Sequence, residues 1–352
     1  MRLVVLSYTV LFALLPLMFA HPGFSSAVRS DITLIPDTAV VATEKRGASP
    51  FVTGLAQPQP WPELLYNNRR IRLITYCYTN KATRDRLECN VINFAIGRWR
   101  VKLNSRGFSG TTNVKFEEAQ DRASRTAYYC FDNQGRWNDN VPDDALWIDI
   151  EGVDGVWGFS TVGWNPPVHG PLNQGRHRMF LAWLNNPARM TDVATHEFGH
   201  VLGMDHEFNR SDRDNYVLYI CINHRLYDYA FSRARAENPL MSDHDIESNL
   251  CNDKDFANRY NFPASAYFKN QNGIIVDETD HGLGFDVDSV MMYASEDISN
   301  TQCLVDGNFC ALRKWQRTPT GGIDYLRPPL KIKNTWPSDG DARWVQKYYP
   351  AT

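Results

Sequence analysis

The chain has 352 residues, 43% of them hydrophobic and 12% aromatic, enough apolar material for one large core or two smaller ones. A formal charge of −3 and a pI of about 6.3 exclude a polycationic surface built to hold nucleic acid or an anionic membrane.

Residues 1–20, MRLVVLSYTVLFALLPLMFA, place Arg2 before a short apolar run that ends on Ala20. That order predicts a cleaved secretory signal rather than a membrane anchor, and no later stretch is apolar enough to span a bilayer. Residues 21–60 lack periodicity and carry Pro22, Pro36, Pro50, Pro58 and Pro60, as a pro-segment or linker does. Lys45–Arg46 is a dibasic pair within it, and a processing cut after residue 46 is the corresponding expectation.

From Ile71 the text reads as folded. IRLITYCY is rich in β-branched and aromatic residues and predicts a strand. ATRDRLECNVINFAIGRWRVKL follows, with Leu87, Val91, Ile92, Phe94, Ala95, Trp99 and Leu103 at helical spacing. VKFEEA, DALWIDIE and HRMFLAW read as further strands, separated by Pro- and Gly-rich text. A second helix is expected from near the N-cap residue Thr191 to the C-cap residue Gly203. Strands mixed with long helices indicate an α+β domain, and the chain after Gly203 carries fewer strand signals and more irregular text.

Under secretion, seven cysteines form at most three bridges and leave one thiol. Cys303 and Cys310 flank LVDGNF, and Cys221 and Cys251 bracket one polar segment, which makes two natural pairs. The third is drawn from Cys77, Cys89 and Cys130, with the choice open. No CxxC occurs, which disfavours a thiolate zinc site.

Three of the nine histidines fall within eleven residues, in HEFGHVLGMDH at 196–206. On a helix, His196 and His200 lie four apart on one face and can grip one cation. Gly203 permits a sharp turn that brings His206 round as a third ligand. Three imidazoles around one Zn²⁺ leave a position for water, the mark of a catalytic rather than a structural site. Glu197, beside the first ligand, is placed to act as general base on that water. Chance gives the full HExxHxxGxxH pattern with an expectation on the order of 10⁻⁵ in a chain of this composition. His169, His177, His224, His244 and His281 have no such spacing and read as ordinary core or surface residues.

The longer stretch HEFGHVLGMDHEFNRSDRDNYV resembles the extended signature of the astacin family of metzincin zinc endopeptidases, HExxHxxGxxHExxRxDRDxY, at every fixed position. Met204 stands where many members have Phe and keeps the apolar bulk. The resemblance implies His196, His200 and His206 as zinc ligands and Glu197 as general base. It marks Glu207 as the acid that mature members tie to their new N-terminus. Downstream, FDVDSVMMYAS is similar to the family's Met-turn. It implies Met291 beneath the metal and Tyr293 as the tyrosine that stabilises the reacting oxygen, with Met292 where His is frequent. PSDGDARWVQKYY is similar to the closing helix, and HRMFLAW to the strand at the edge of the cleft.

The implied architecture is a metzincin fold: an N-terminal mixed sheet with the active-site helix, an irregular C-terminal subdomain, and a cleft between them. The resemblance spans residues 61–352, with 222–284 longer than the family core and read as an insertion. It is closest in kind to secreted fungal or microbial members. The implied protein is a secreted, monomeric zinc endopeptidase acting on internal peptide bonds of protein substrates, with one Zn²⁺ per chain and no membrane anchor. The F-x-G-D motif of family pro-segments is absent, FVTGL at 51–55 having the Phe alone. The rival class is a secreted zinc-binding module without turnover, which needs neither Glu197 nor Tyr293. The sequon at Asn209 lies inside the signature and is expected to be unmodified, and the run from Arg210 to Asp214 is expected to form a buried ion-pair scaffold.

Overall fold

The computed structural model describes residues 59–66, 68–151, 157–167, 174–269 and 284–351. The expected signal at 1–20, the Lys45–Arg46 cut and nearly all of the expected pro-segment lie outside the described residues, as do His169 and His281.

The first strand, β1 (Leu64–Tyr66), pairs antiparallel with the start of β2 (Arg69–Tyr78), the IRLITYCY run. A helical stretch then runs through α1 (Lys81–Leu87), a π-turn at Glu88–Ile92 and α2 (Asn93–Leu103). The next strands are β3 (Val114–Glu118), β4 (Leu146–Ile150), β5 (Gly158–Ser160) and β6 (Arg178–Leu181). β2, β3, β4 and β6 run parallel to one another, while β5 pairs antiparallel with β6 and forms the far edge. HRMFLAW is therefore not the edge strand that the resemblance implied. It is paired on both sides, by β4 and β5, and the edge belongs to a three-residue strand, Gly158–Ser160.

The π-turn adds a residue to one turn and shifts the apolar stripe. Ala95, Ile96, Trp99 and Leu103 stay in the core, but Phe94 is rotated outward and is 62% exposed. One face of the sheet packs against α2 and the next helix, α3 (Pro187–Val201), through a cluster that includes Ile74, Tyr76, Leu146, Ile148, Met179, Trp99 and Phe198. On β2, Cys77 joins a smaller cluster with Cys130, Val141 and Ala145, and a Cys77–Cys130 bridge decides the open third pairing. Cys89 is the free thiol.

α3 begins earlier than Thr191. Asn186 is its N-cap, with its side chain accepting from Arg189 N, and Pro187 occupies the first turn where its missing N–H costs nothing. Thr191 is one turn inside, its hydroxyl bonded back to the Pro187 carbonyl. The helix stops as expected, at Gly203, whose φ of 101° a residue with a Cβ resists. The orphan carbonyls at its end are not left bare: Trp61 Nε1 donates to Val201 (2.8 Å) and the Tyr349 hydroxyl to Leu202 (2.8 Å).

Beyond α3 a second sheet forms from β7 (Val217–Tyr219), β8 (Leu312–Lys314) and β9 (Leu330–Lys331). Between β7 and β8 lies a region that is helical rather than irregular, with α4 (Tyr227–Glu237), α5 (Asp243–Asn252) and α6 (Lys254–Arg259), followed later by the short α7 (Ser295–Ile298). The three longer helices bury Ala230, Ala234, Ile246, Leu250, Phe256 and Tyr260 in a core of their own, stapled by Cys221–Cys251. The remaining bridge is Cys303–Cys310. The chain closes on α8 (Asp339–Tyr348), started by a reciprocal Ser338–Asp341 cap. No helix among the described residues is long and apolar enough to cross a membrane.

Candidate active site

α3 carries His196, Glu197 and His200 on its last buried turns, and Gly203 reverses the chain so that His206 faces them. The Nε2 atoms of His196 and His200 each lie 3.1 Å from Nε2 of His206. The Nδ1 of His196 lies 2.8 Å from the Val290 carbonyl oxygen, and that of His200 lies 2.7 Å from the Met204 carbonyl. A carbonyl only accepts, so both Nδ1 atoms carry the proton and both Nε2 atoms present lone pairs inward. Burial reinforces this by pushing His196 down to about 4.

Buried lone pairs converging on one point are unfavourable unless a cation sits among them. Tetrahedral Zn–N bonds of about 2.0–2.1 Å place ligand nitrogens roughly 3.3 Å apart, close to the spacing here. The three histidines are the one group among the described residues whose ligand atoms converge in this way, and they fit zinc.

Glu197 is buried beside them. Its Oε2 accepts from the Ser160 hydroxyl (2.7 Å), and its backbone carbonyl lies 2.9 Å from the same oxygen. β5 therefore holds the acid as well as edging the sheet. Gly158, two residues earlier on β5, has no room for a side chain: a Cβ there would meet Val193 and come 2.8 Å from Glu197 Oε1. Sequence reasoning missed both residues, because a three-residue strand between glycines gives no alternation to detect. The WGFS run was the only available signal.

Met291 lies under the zinc helix, and a Cβ on Gly199 would collide with its Sδ. Tyr293 packs its ring against His196 and His206, with centroids 5.1 and 4.7 Å apart. Phe208 stacks on His206 at 4.6 Å, and Tyr267 on Phe208 at 4.9 Å. The structure thus brings His196, Glu197, His200, His206 and Tyr293 into one place.

The charged run that follows is a buried scaffold at Arg210 and Arg213, as expected, while Asp214 at its end is exposed. Arg210 is 1% exposed and forks onto Asp212 at 3.0 and 2.9 Å, with Glu207 3.5 Å away. Glu207 accepts from Asp286 N (2.9 Å) beside a cavity of about 40 Å³, and burial pushes its carboxyl up to about 8 against the pull of Arg210. Asn209 is buried at 4% exposure, which closes the folded sequon to modification. His177 and His224 are core residues, one of the two ordinary roles expected of them.

Residues 172–254, which include α3 and the three converging histidines, match the family model described as Astacin, a peptidase family. Within that segment the chain is similar to the astacin family of peptidases. Among solved structures, it is similar to high choriolytic enzyme 1, a hatching-enzyme zinc protease of the medaka Oryzias latipes. Identity is 15% over 86% of this chain and 98% of that one, with a TM-score of 0.45. It is also similar to myroilysin, at 13% identity over 84% of this chain and 97% of the other, with a TM-score of 0.36. No curated protein sequence matches the chain.

Proposed function

We propose that this chain is a secreted endopeptidase of the astacin family in which His196, His200 and His206 hold one Zn²⁺, Glu197 is the general base and Tyr293 assists the reacting carbonyl. The observation that carries the reading is the convergence of three buried Nε2 atoms, two of them held as lone-pair donors, next to a carboxylate anchored on the sheet edge. When bound, zinc supplies Lewis acidity to a carbonyl oxygen and acidifies a water.

The outer side of β5 is the sheet edge nearest Glu197, so an extended substrate adds there as a further strand. Such a peptide lies alongside Glu197, which takes a proton as water attacks the scissile carbonyl and returns it to the leaving amine. The Tyr293 ring, wedged against two ligand imidazoles, is placed for its hydroxyl to meet the developing oxyanion. Three disulfides among the described residues support passage through an oxidising compartment, and hence the expected signal at 1–20. The stretch 222–284 is proposed as an insertion on the strength of its separate helical core.

The test is Glu197→Gln, which keeps shape and neutralises the base. Zinc content is expected to stay at one per chain while hydrolysis of casein or a fluorogenic peptide is lost. A zinc-loaded Glu197→Gln protein cleaving at the wild-type rate removes the general-base assignment. Wild-type protein that binds zinc yet cleaves no peptide supports the non-catalytic binding module instead.

A further inference from the structure

A second cavity, of about 700 Å³, has a lining that shares no residue with the zinc ligands, Glu197, Tyr293 or β5. It opens between the segment before β7, the junction of α5 and α6, and the residues that follow Tyr267. Cavities of this size commonly hold small organic ligands.

Its charge is unbalanced. Arg213, Lys254 and Lys269 line it against a single carboxylate, Asp214. Arg213 is buried, 7% exposed, and its guanidinium is fixed by the Phe208 carbonyl (3.0 Å), the Tyr267 carbonyl and Asp214 Oδ1 (3.2 Å). Lys269 pairs with the other oxygen of the same carboxylate. One anion is thus shared by two cations. Lys254 has no ion-pair partner among the described residues, although it is only half-exposed. A wall with surplus, partly desolvated positive charge gains from an incoming anion.

The remaining surface selects which anion. Phe268 and Trp315 line the space, and the Trp315 indole is held in place by its N–H donating to the Asp214 carbonyl (3.1 Å). Aromatic faces favour a flat apolar body over a fully hydrated inorganic ion.

We propose that this cavity is a binding site for a small aromatic carboxylate, with the carboxylate held by Lys254 and Lys269 and the ring packed against Phe268 and Trp315. It is independent of the zinc centre. The experiment is calorimetric titration of phenylacetate into zinc-loaded full-length protein whose cleft is blocked by a peptide hydroxamate, so that a carboxylate cannot report the metal instead. Saturable binding is expected, weakened about tenfold by Lys254→Glu and by Lys269→Glu. Acetate and benzyl alcohol, carrying the charge or the ring alone, are expected to bind at least about tenfold more weakly than phenylacetate. Lys254 is the first residue of α6, where a glutamate is compatible with the helix dipole, and Lys269 is on the surface, so unchanged melting curves verify folding of both variants. The proposal is overturned if blocked protein shows no saturation up to about 10 mM, if both variants bind phenylacetate as the wild type does, or if acetate binds as well as phenylacetate.

Discussion

Asp341, the third residue of the closing helix, accepts a hydrogen bond from the Ser289 hydroxyl at 2.6 Å and another from Val290 N at 2.9 Å. The same carboxylate caps its own helix by accepting from Ser338 N. Val290 in turn offers its carbonyl to His196 Nδ1. The C-terminal helix therefore sets the turn that orients His196, the first of the proposed zinc ligands, and a partner behind a ligand typically changes metal affinity by about 10–100-fold.

Asp341→Ala is expected to strand three donors in a buried place, costing about 3 kcal/mol of stability. It should also weaken zinc binding by about tenfold or more. Asp341→Asn, which keeps one acceptor oxygen, should recover part of both losses. Competition with a fluorescent chelator, together with thermal melting, checks this; zinc affinity equal to wild type in Asp341→Ala would break the link between α8 and His196.

Gly199 is the glycine of HEFGH, and its place is set by Met291 rather than by backbone conformation. Alanine at a helix interior ordinarily gains up to about 1 kcal/mol over glycine. Here a Cβ meets the Sδ of a methionine that is 1% exposed and also comes 3.6 Å from the Trp99 ring. Overpacking of that kind costs about 1–3 kcal/mol, so the clash wins and Gly199→Ala is expected to be destabilising. Pairing it with Met291→Ala should be less damaging than the two single effects added, by about 1 kcal/mol or more. Denaturant unfolding of the four proteins gives the coupling directly; strict additivity would show that the two side chains do not compete for space.

Much of this site was legible because its geometry is local. His196, Glu197 and His200 sit within two turns of one helix, and Gly203 turns the chain within reach of His206, so spacing alone conveys the ligand set. The partners that hold it are not local. Ser160 reaches Glu197 across 37 residues and Asp341 reaches Ser289 across 52, and neither carries a periodic or compositional signal. Which cysteine of three joins the third bridge depends on a Cα–Cα approach of 5.3 Å between Cys77 and Cys130, which only the strand arrangement supplies. The edge strand was misplaced for a related reason: HRMFLAW has the stronger strand pattern, and burial on both sides is what gives it that pattern. The start of α3 was readable in Asn186–Pro187, a capping pair that lies one turn before the N-cap residue Thr191 from which the helix was expected.

Acid should unfold the protein partly through His177. Its Nε2 accepts from Asn165 N and its Nδ1 faces the Asp144 carbonyl, both at 2.9 Å, and burial lowers it to about 3. In the unfolded chain the imidazole titrates near about 6.5. Between these values the unfolded state binds a proton that the folded state refuses, so stability is full above about 6.5 and is lost as pH falls. At pH 5 the loss from this residue alone is about 2 kcal/mol. His224, lowered to about 3 by burial, acts with the same sign. His177→Gln can make both hydrogen bonds without titrating, so its melting temperature should fall less than that of wild type between pH 7 and 5. An identical decline in the two proteins would place the acid sensitivity elsewhere.

The helical region between β7 and β8 should be separable in stability from the zinc-bearing half. Its core of Ala230, Ala234, Ile246, Leu250, Phe256 and Tyr260 is small and draws on its own helices, and the Cys221–Cys251 bridge closes a 30-residue separation across it. A cross-link of that span contributes about 3–4 kcal/mol by restricting the unfolded chain. A core of that size offers little in reserve, so losing the bridge should open the region locally before the whole protein unfolds. In a Cys221→Ser/Cys251→Ser protein, amide hydrogen exchange is expected to accelerate across 227–260. Exchange in β2, β4 and α3, which rest on the separate core around Trp99 and Phe198, should stay unchanged. Acceleration spread evenly over both regions would mean that the helices share one cooperative unit with the sheet, and that their core is not independent.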